Sequence, residues 1–172
     1  MRVTIRRIGV DEGKLLMQIR LMALLDAPYA FAGSYAESVQ VPADAWNRRA
    51  QRAAAGGREA VFLAETVYEV LGMVGAYTPR DTSVRHVYGL WVDHAARRQG
   101  VGRALMDTVI NWSTLAGAAA ITLWVAESND PALALYRALG FTETGDAQPM
   151  PSNESVTERH FRRSLDVGRR TQ

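Results

Sequence analysis

The chain has 172 residues, of which 48% are apolar and 22% charged, with a formal net charge of +2 and no cysteine. This is the size of one domain with a substantial core, and it excludes global disorder, disulfides, cysteine-ligated metal and a cysteine nucleophile. Only Lys14 among the 20 basic residues is lysine, and a balance of +2 over the whole chain is too weak a field to argue for nucleic acid.

Residues 2–8 alternate as a first strand. Nothing there resembles the apolar stretch of a signal peptide, and no apolar run reaches the ~18 residues of a membrane helix, so a cytoplasmic location is the default expectation. Asp11 is placed to cap a helix from Lys14 to Leu25. Two apolar stripes recur along that helix, one through Leu15, Ile19 and Met22 and one through Leu16 and Ala23, and Pro28 ends it. Tyr29 to Gln40 has no clear period and reads as a loop. Pro42 sits as a first-turn proline of a second helix, Ala43 to Ala55, which Gly56 and Gly57 stop. Ala60 to Glu65 and Val70 to Tyr77 read as a hairpin of strands, and Pro79 and Asp81 as a turn.

Val84 to Val92 is a further strand, interrupted by Gly89, and glycine inside a strand marks a bulge or a close backbone approach. Gly100 to Leu115 is the strongest helix, with Val101, Leu105, Thr108, Val109 and Trp112 on one face. Ile121 to Val125 is a short, fully apolar strand of the kind buried in a sheet. Pro131 to Leu139 is a short helix stopped by Gly140. Phe141 to Thr144 and Arg159 to Leu165 are closing strands, Gly145 to Asn153 a long connection with two prolines, and the chain frays from Val167. The order β-α-α-β-β-β-α-β-α-β-β predicts one α/β domain with a core of about 1–166, a mixed sheet and helices on both faces.

The segment Arg97-Arg98-Gln99-Gly100-Val101-Gly102-Arg103 carries the chemistry. A strand ends, an arginine-rich loop follows, and two glycines open a long helix. The first helical turn has unpaired N–H groups, and the helix dipole adds positive potential there. Glycines remove side chains that would block an oxyanion, and the arginines add charge, which suits a pyrophosphate. No Gly-Lys-Ser/Thr follows, so this is not a P-loop, and the third glycine of the dinucleotide fingerprint is missing. A second pattern follows the next strand: Asn129, Ala132, Leu135-Tyr136 and Gly140-Phe141.

Together these two patterns, in this order, resemble the GNAT superfamily of N-acetyltransferases, and the element order resembles it over nearly the whole chain. The resemblance implies a mixed, mostly antiparallel sheet splayed between its fourth and fifth strands, with acetyl-CoA in the gap. Leu90, Trp91 and Val92 would face the pantetheine arm, the amide near Leu90–Trp91 would polarise the thioester carbonyl, and residues 97–103 would hold the pyrophosphate. Tyr136 matches the family's general-acid tyrosine, and Asn129 would bind or orient the pantetheine region. The implied reaction is direct attack of a neutral primary amine, of a small molecule or a protein, on the thioester, with no covalent enzyme intermediate. The alternative is a non-catalytic acyl-CoA-binding or sensor module of the same fold.

The general base stays open among Glu127, His86, Tyr88, Glu65 and water. Three scattered histidines make no metal-ligand spacing, so no metal is expected. The acceptor site is expected from residues about 24 to 46. There an aromatic pair with Glu37 or Asp44 could hold an ammonium group, against simple packing of Phe31 and Trp46 on the sheet. No nucleic acid or membrane partner is expected, and a monomer or a homodimer would both fit.

Overall fold

The computed structural model describes residues 2–80 and 83–165, which form a seven-stranded sheet between two helical layers. In chain order the elements are β1 (Thr4–Arg7), α1 (Gly13–Asp26), a short 3₁₀ turn (Pro28–Ala30), α2 (Tyr35–Val39), α3 (Ala43–Ala55), β2 (Glu59–Glu65), β3 (Val70–Tyr77) and β4 (Val84–Val92). A second 3₁₀ turn (His94–Ala96) leads to α4 (Val101–Leu115), β5 (Ala120–Ala126), α5 (Asp130–Ala138), β6 (Thr142–Met150) and β7 (Asn153–Ser164). The sheet order is β1-β2-β3-β4-β5-β7-β6. Among the described residues only β4 and β5 pair in parallel. Among the described residues no helix is long and apolar enough to cross a membrane.

Period-2 alternation decides which residues feed which core. On β2, Val61 and Leu63 join the cluster under α1 and α3, with Ile8, Leu16, Ile19, Trp46 and Met73. Their neighbours Ala60, Phe62 and Ala64 join the cluster under α4 and α5, with Leu105, Val109, Trp112 and Phe141. Covered on both faces, β2 reads as an unbroken apolar run. On α1 the buried face takes Leu16 and Ala23 from one stripe and Ile19 from the other, while Met22 is exposed.

Three local expectations are corrected. Asp11 does not cap α1: the N-cap is Glu12, whose carboxylate instead accepts from Gly9 N–H and pairs with Arg6. Residues 29–40 are not all loop, because Ser34 and Glu37 close a capping box that starts α2. Gly145 to Asn153 is not a long connection, because β6 runs to Met150 and turns tightly into β7. This works because β6 is the sheet's edge strand, where a proline removes no needed ladder donor. The expected turn residue Asp81 and the end beyond Val167 lie outside the described residues.

The feature that positions the site is the end of β4. The β4–β5 ladder runs only from Val84↔Ala120 to Val87↔Leu123. Just beyond it, Gly89 has φ +65°, a backbone region that favours glycine. On the other side, Tyr88 pairs with Gly75 and Trp91 with Met73. Three steps on β4 thus match two on β3, which is a bulge. Past it, β4 keeps its bond to β3 and leaves β5.

Candidate active site

The divergence opens a cleft of about 70 Å³ whose walls include Tyr88, Gly89 and Leu90 of β4, Trp124 of β5, and Asn129 and Tyr136 at α5. The start of α4 packs against the same two elements, β4 and α5. Gly100 is left-handed at φ +83°, and a Cβ there would meet nothing within 4 Å. The first helical bond runs from Ala104 N–H to Gly100 O at 3.0 Å, so the amides of Val101, Gly102 and Arg103 have no intrahelical acceptor. A Cβ on Gly102 would lie 3.5 Å from Leu135 Cδ2 of α5 and 3.6 Å from Val92 Cγ2. The two sequence patterns, remote along the chain, therefore meet in space.

The side chains of this loop divide its labour. Arg97 is committed inward: Nε donates to Val92 O at 2.9 Å, and Nη2 donates to Asp26 Oδ2 at the end of α1. The same carboxylate oxygen accepts from Trp91 Nε1 at 2.8 Å. Trp91 therefore buries its indole on the α1 side, away from the cleft, and faces it with backbone alone. Gln99 Nε2 ties back to Ala95 O at 2.8 Å, and Arg103 lies 3.7 Å from Asp107. Val101 is buried in the α4 core. Arg98, held at φ +61°, is exposed and has no ion-pair partner among the described residues.

Tyr136 lines the cleft. Its ring packs edge-on to Phe141, with centroids 5.8 Å apart. Its hydroxyl makes no hydrogen bond among the described residues, and burial pushes the phenol well above its usual range, so it is held protonated. Asn129 caps α5, its Oδ1 accepting from Ala132 N–H at 3.3 Å.

On the opposite side of Tyr88 lies a larger cavity of about 370 Å³, between α1, α2, α3 and the sheet. The Tyr88 ring reaches both cavities. A Cβ on Gly75 would lie 2.3 Å from that ring, so the glycine makes its room. The expected acceptor region, residues about 24–46, supplies only part of this cavity; Arg20, Arg49, Glu59 and Met73 also line it. Arg20 and Arg49 carry no local sequence signal, since only the folded chain brings them together. The anionic candidates there are already engaged. Glu37 belongs to its capping box, and Asp44 pairs with Arg48 at 2.5 Å. Phe31 and Trp46 are buried, and their faces are taken by Arg20 and Arg49.

The candidate bases fare differently. Glu127 pairs with Arg159, which also holds Glu143. Glu65 pairs with Arg6 on the far edge of the sheet. His86 bonds Thr122 Oγ1 at 3.1 Å, and burial pushes it down to about 4, so it is neutral near pH 7. Burial pushes the Tyr88 phenol up. Among the described residues no group of acids and histidines could hold a metal ion.

A sheet splayed at a glycine bulge, with a glycine-opened helix packed beside the gap and an unpartnered tyrosine lining it, defines the class of acetyltransferase folds. The model of the acetyltransferase (GNAT) family matches residues 21–141. The chain belongs to that family. Human N-acetyltransferase 8 is 34% identical over 90 residues, which is 50% of this chain and 40% of that protein. The chain thus spans less than half the length of that curated relative. A GNAT-family acetyltransferase from Streptococcus pneumoniae superposes with a TM-score of 0.82 at 14% identity, covering 95% of this chain and 99% of the other. The yncA protein of Salmonella typhimurium, solved with acetyl-CoA, superposes at 0.80 with 18% identity over 100% and 99% of the two chains. At such identities these structures speak for the fold.

Proposed function

We propose that this chain is an N-acetyltransferase that moves the acetyl group of acetyl-CoA to a primary amine by direct attack. The observation that carries this reading is the cleft itself. A protonated Tyr136 lines it beside a strand edge that has left its partner, and the start of α4, with three amides that lack an intrahelical acceptor, packs against Val92 and Leu135 of the same two elements.

In this reading the α4 amides and Arg98 hold the pyrophosphate, and Leu90 to Val92 offer their open backbone edge to the pantetheine arm. The side chains of Gln99, Val101 and Arg97 shape the loop instead of reaching the pyrophosphate, while Arg103 adds positive potential. An N–C bond forms as the C–S bond breaks, the thiolate takes the Tyr136 proton, which solvent then replaces, and the amine gives up one proton. With Glu127 and Glu65 in ion pairs and His86 a weak base, water in the acceptor cavity takes that proton. The turnover rate should then rise with pH toward the acceptor's own pKa, without a histidine-like plateau near 6.5.

The test is thermal protection by acetyl-CoA, followed by thiol release with a panel of amines. No protection would overturn the reading. Protection without thiol release from any amine would make the chain a binding module.

A further inference from the structure

The acceptor cavity is unbalanced in charge. Its walls carry Arg20, Arg49, Arg52, Glu37 and Glu59. Arg52 and Glu59 are paired with each other, and Glu37 is spent on the start of α2. That leaves Arg20 and Arg49, and neither makes an ion pair or hydrogen bond among the described residues. Arg20 is the more telling. Its Nη1 is fully buried with no acceptor, its guanidinium lies 4.7 Å over the Phe31 ring, and burial pushes its pKa down. Tyr88 and Arg49 are the ionisable groups that act on it, and no carboxylate pairs with it among the described residues. Arg49 stacks on Trp46 at 4.7 Å from the edge of the same cavity. A desolvated donor without a partner costs stability, and so does bringing two like charges together. A ligand that supplies the missing anion removes both costs.

Position narrows the anion further. Arg20 Nη1 lies 3.4 Å from where a Cβ on Gly89 would be, and Nη2 lies 3.5 Å from the same point on Gly33. The guanidinium therefore sits between the loop after α1 and the β4 bulge, where the acceptor cavity touches the cleft. An anion bound there has its neighbouring atoms at the bulge. A nitrogen on the carbon next to a carboxylate is delivered to the splay, whereas an amine at the end of a long chain is not. Of the remaining walls, Leu16, Val41, Trp46, Val61 and Met73 are apolar, with Ser38 and Tyr88 adding two hydroxyls.

We propose, building on the transferase reading above, that the acceptor is a free α-amino acid with an apolar side chain, its carboxylate bound by Arg20 with support from Arg49. A peptide or protein N-terminus lacks that adjacent carboxylate and leaves Arg20 unpaired. Recognition of a charged group by a guanidinium is worth about tenfold to a hundredfold in kcat/KM.

The experiment measures thiol release from acetyl-CoA with leucine, methionine and phenylalanine. Each is compared with its amide, its decarboxylated amine and a tripeptide that begins with it. The free acids should exceed all three analogues by at least about tenfold. Arg20→Met and Arg49→Gln should erase most of that preference, while thermal protection by acetyl-CoA is retained. Arg20→Met should also leave the melting temperature within about 4 °C, since the buried charge had no partner to lose. Analogues or tripeptides used as well as the acids would overturn the proposal and leave the transferase standing. So would acetyl-CoA protection with no turnover of the free acids. Absence of acetyl-CoA protection would remove both. Should Arg20→Met fail to fold, Arg49→Gln and the acid-to-amide ratio of the unaltered protein still decide.

Discussion

On the β5 side of Tyr88 the protein shapes its space with backbone. A bulge at Gly89, a left-handed Gly100 and the free amides of α4 do the work, and Arg97 of the loop before them is turned inward. On the α1 side the space is shaped by side chains sent from α1, α3, β2 and β4, with two guanidiniums laid on aromatic rings. A backbone site reads features common to every copy of a ligand and tolerates sequence change around it. A side-chain site can be retuned one residue at a time. That division suits a fold in which one co-substrate is fixed and the other varies.

The sharpest way to break this comparison is to put a side chain where backbone should be alone. Gly102→Glu places a carboxylate at the α4 amides, and because a Cβ there meets only ordinary contacts at 3.5 and 3.6 Å, the fold should survive. Acetyl-CoA binding in calorimetry should fall by about a hundredfold or more, from lost amide contacts and added repulsion. Unchanged affinity would move the pyrophosphate elsewhere.

Tyr136→Phe comes next, where the chemical step relies on a side-chain atom. Losing a general acid costs ~10²–10⁴-fold, and water partly replaces it, so turnover should drop by at least about tenfold. Acetyl-CoA affinity and melting temperature should hold, because the hydroxyl leaves no partner behind. Normal turnover with lost stability would mark Tyr136 as a packing residue.

His86 tests the closed half of β4, just before the splay. Its folded pKa, about 4, lies below the ordinary value near 6.5. Between those values the unfolded chain binds the extra proton, so stability is full above about pH 6.5 and is lost as pH falls toward 4. Tyr77, Thr122 and His160 are the groups around it, and His160 is shifted the same way. In denaturant melts, His86→Gln should remove on the order of 1–3 kcal/mol of the acid-side loss. Identical pH profiles would show that His86 is solvated.

The smallest effect is expected at the bulge. Gly89→Ala adds about 1–2 kcal/mol of left-handed strain and so lowers the melting temperature by about 2–8 °C. Its new Cβ also presses on Arg20 Nη1 at 3.4 Å. Amino-acid use should suffer more than acetyl-CoA binding, and equal losses would blur the line between the two sites.

The backbone half of the site was legible because glycines leave a trace: Gly89 inside a strand and Gly100 and Gly102 at a helix start have few other uses. The splay itself was not read from those residues; it came with the resemblance that Asn129 and Tyr136 completed. The side-chain half left little to read. Arg20 lies on a helix whose two apolar stripes are nearly equivalent, and only packing selects the face that turns Arg20 toward Gly89. The ammonium pocket expected of Glu37 and Asp44 failed because both acids have local duties. One of these was visible, since Ser34-Tyr35-Ala36-Glu37 is a capping-box sequence. The start of β6 was read as a strand, but its run from Gly145 to Met150 was missed because an exposed edge strand shows no alternation and admits Pro149.

Asp26 ends α1 and accepts from both Trp91 and Arg97. The acceptor-side helix and the glycine loop thus share a hinge pin, which matters for anyone recombining such enzymes. Grafting a foreign α1 to import a new specificity would carry away the anchor of the loop as well, unless an acid is kept at position 26. Crossover points placed before residue 26 keep Asp26 with the loop it anchors, and those placed between residues 26 and 91 hand the loop's fate to the donor helix.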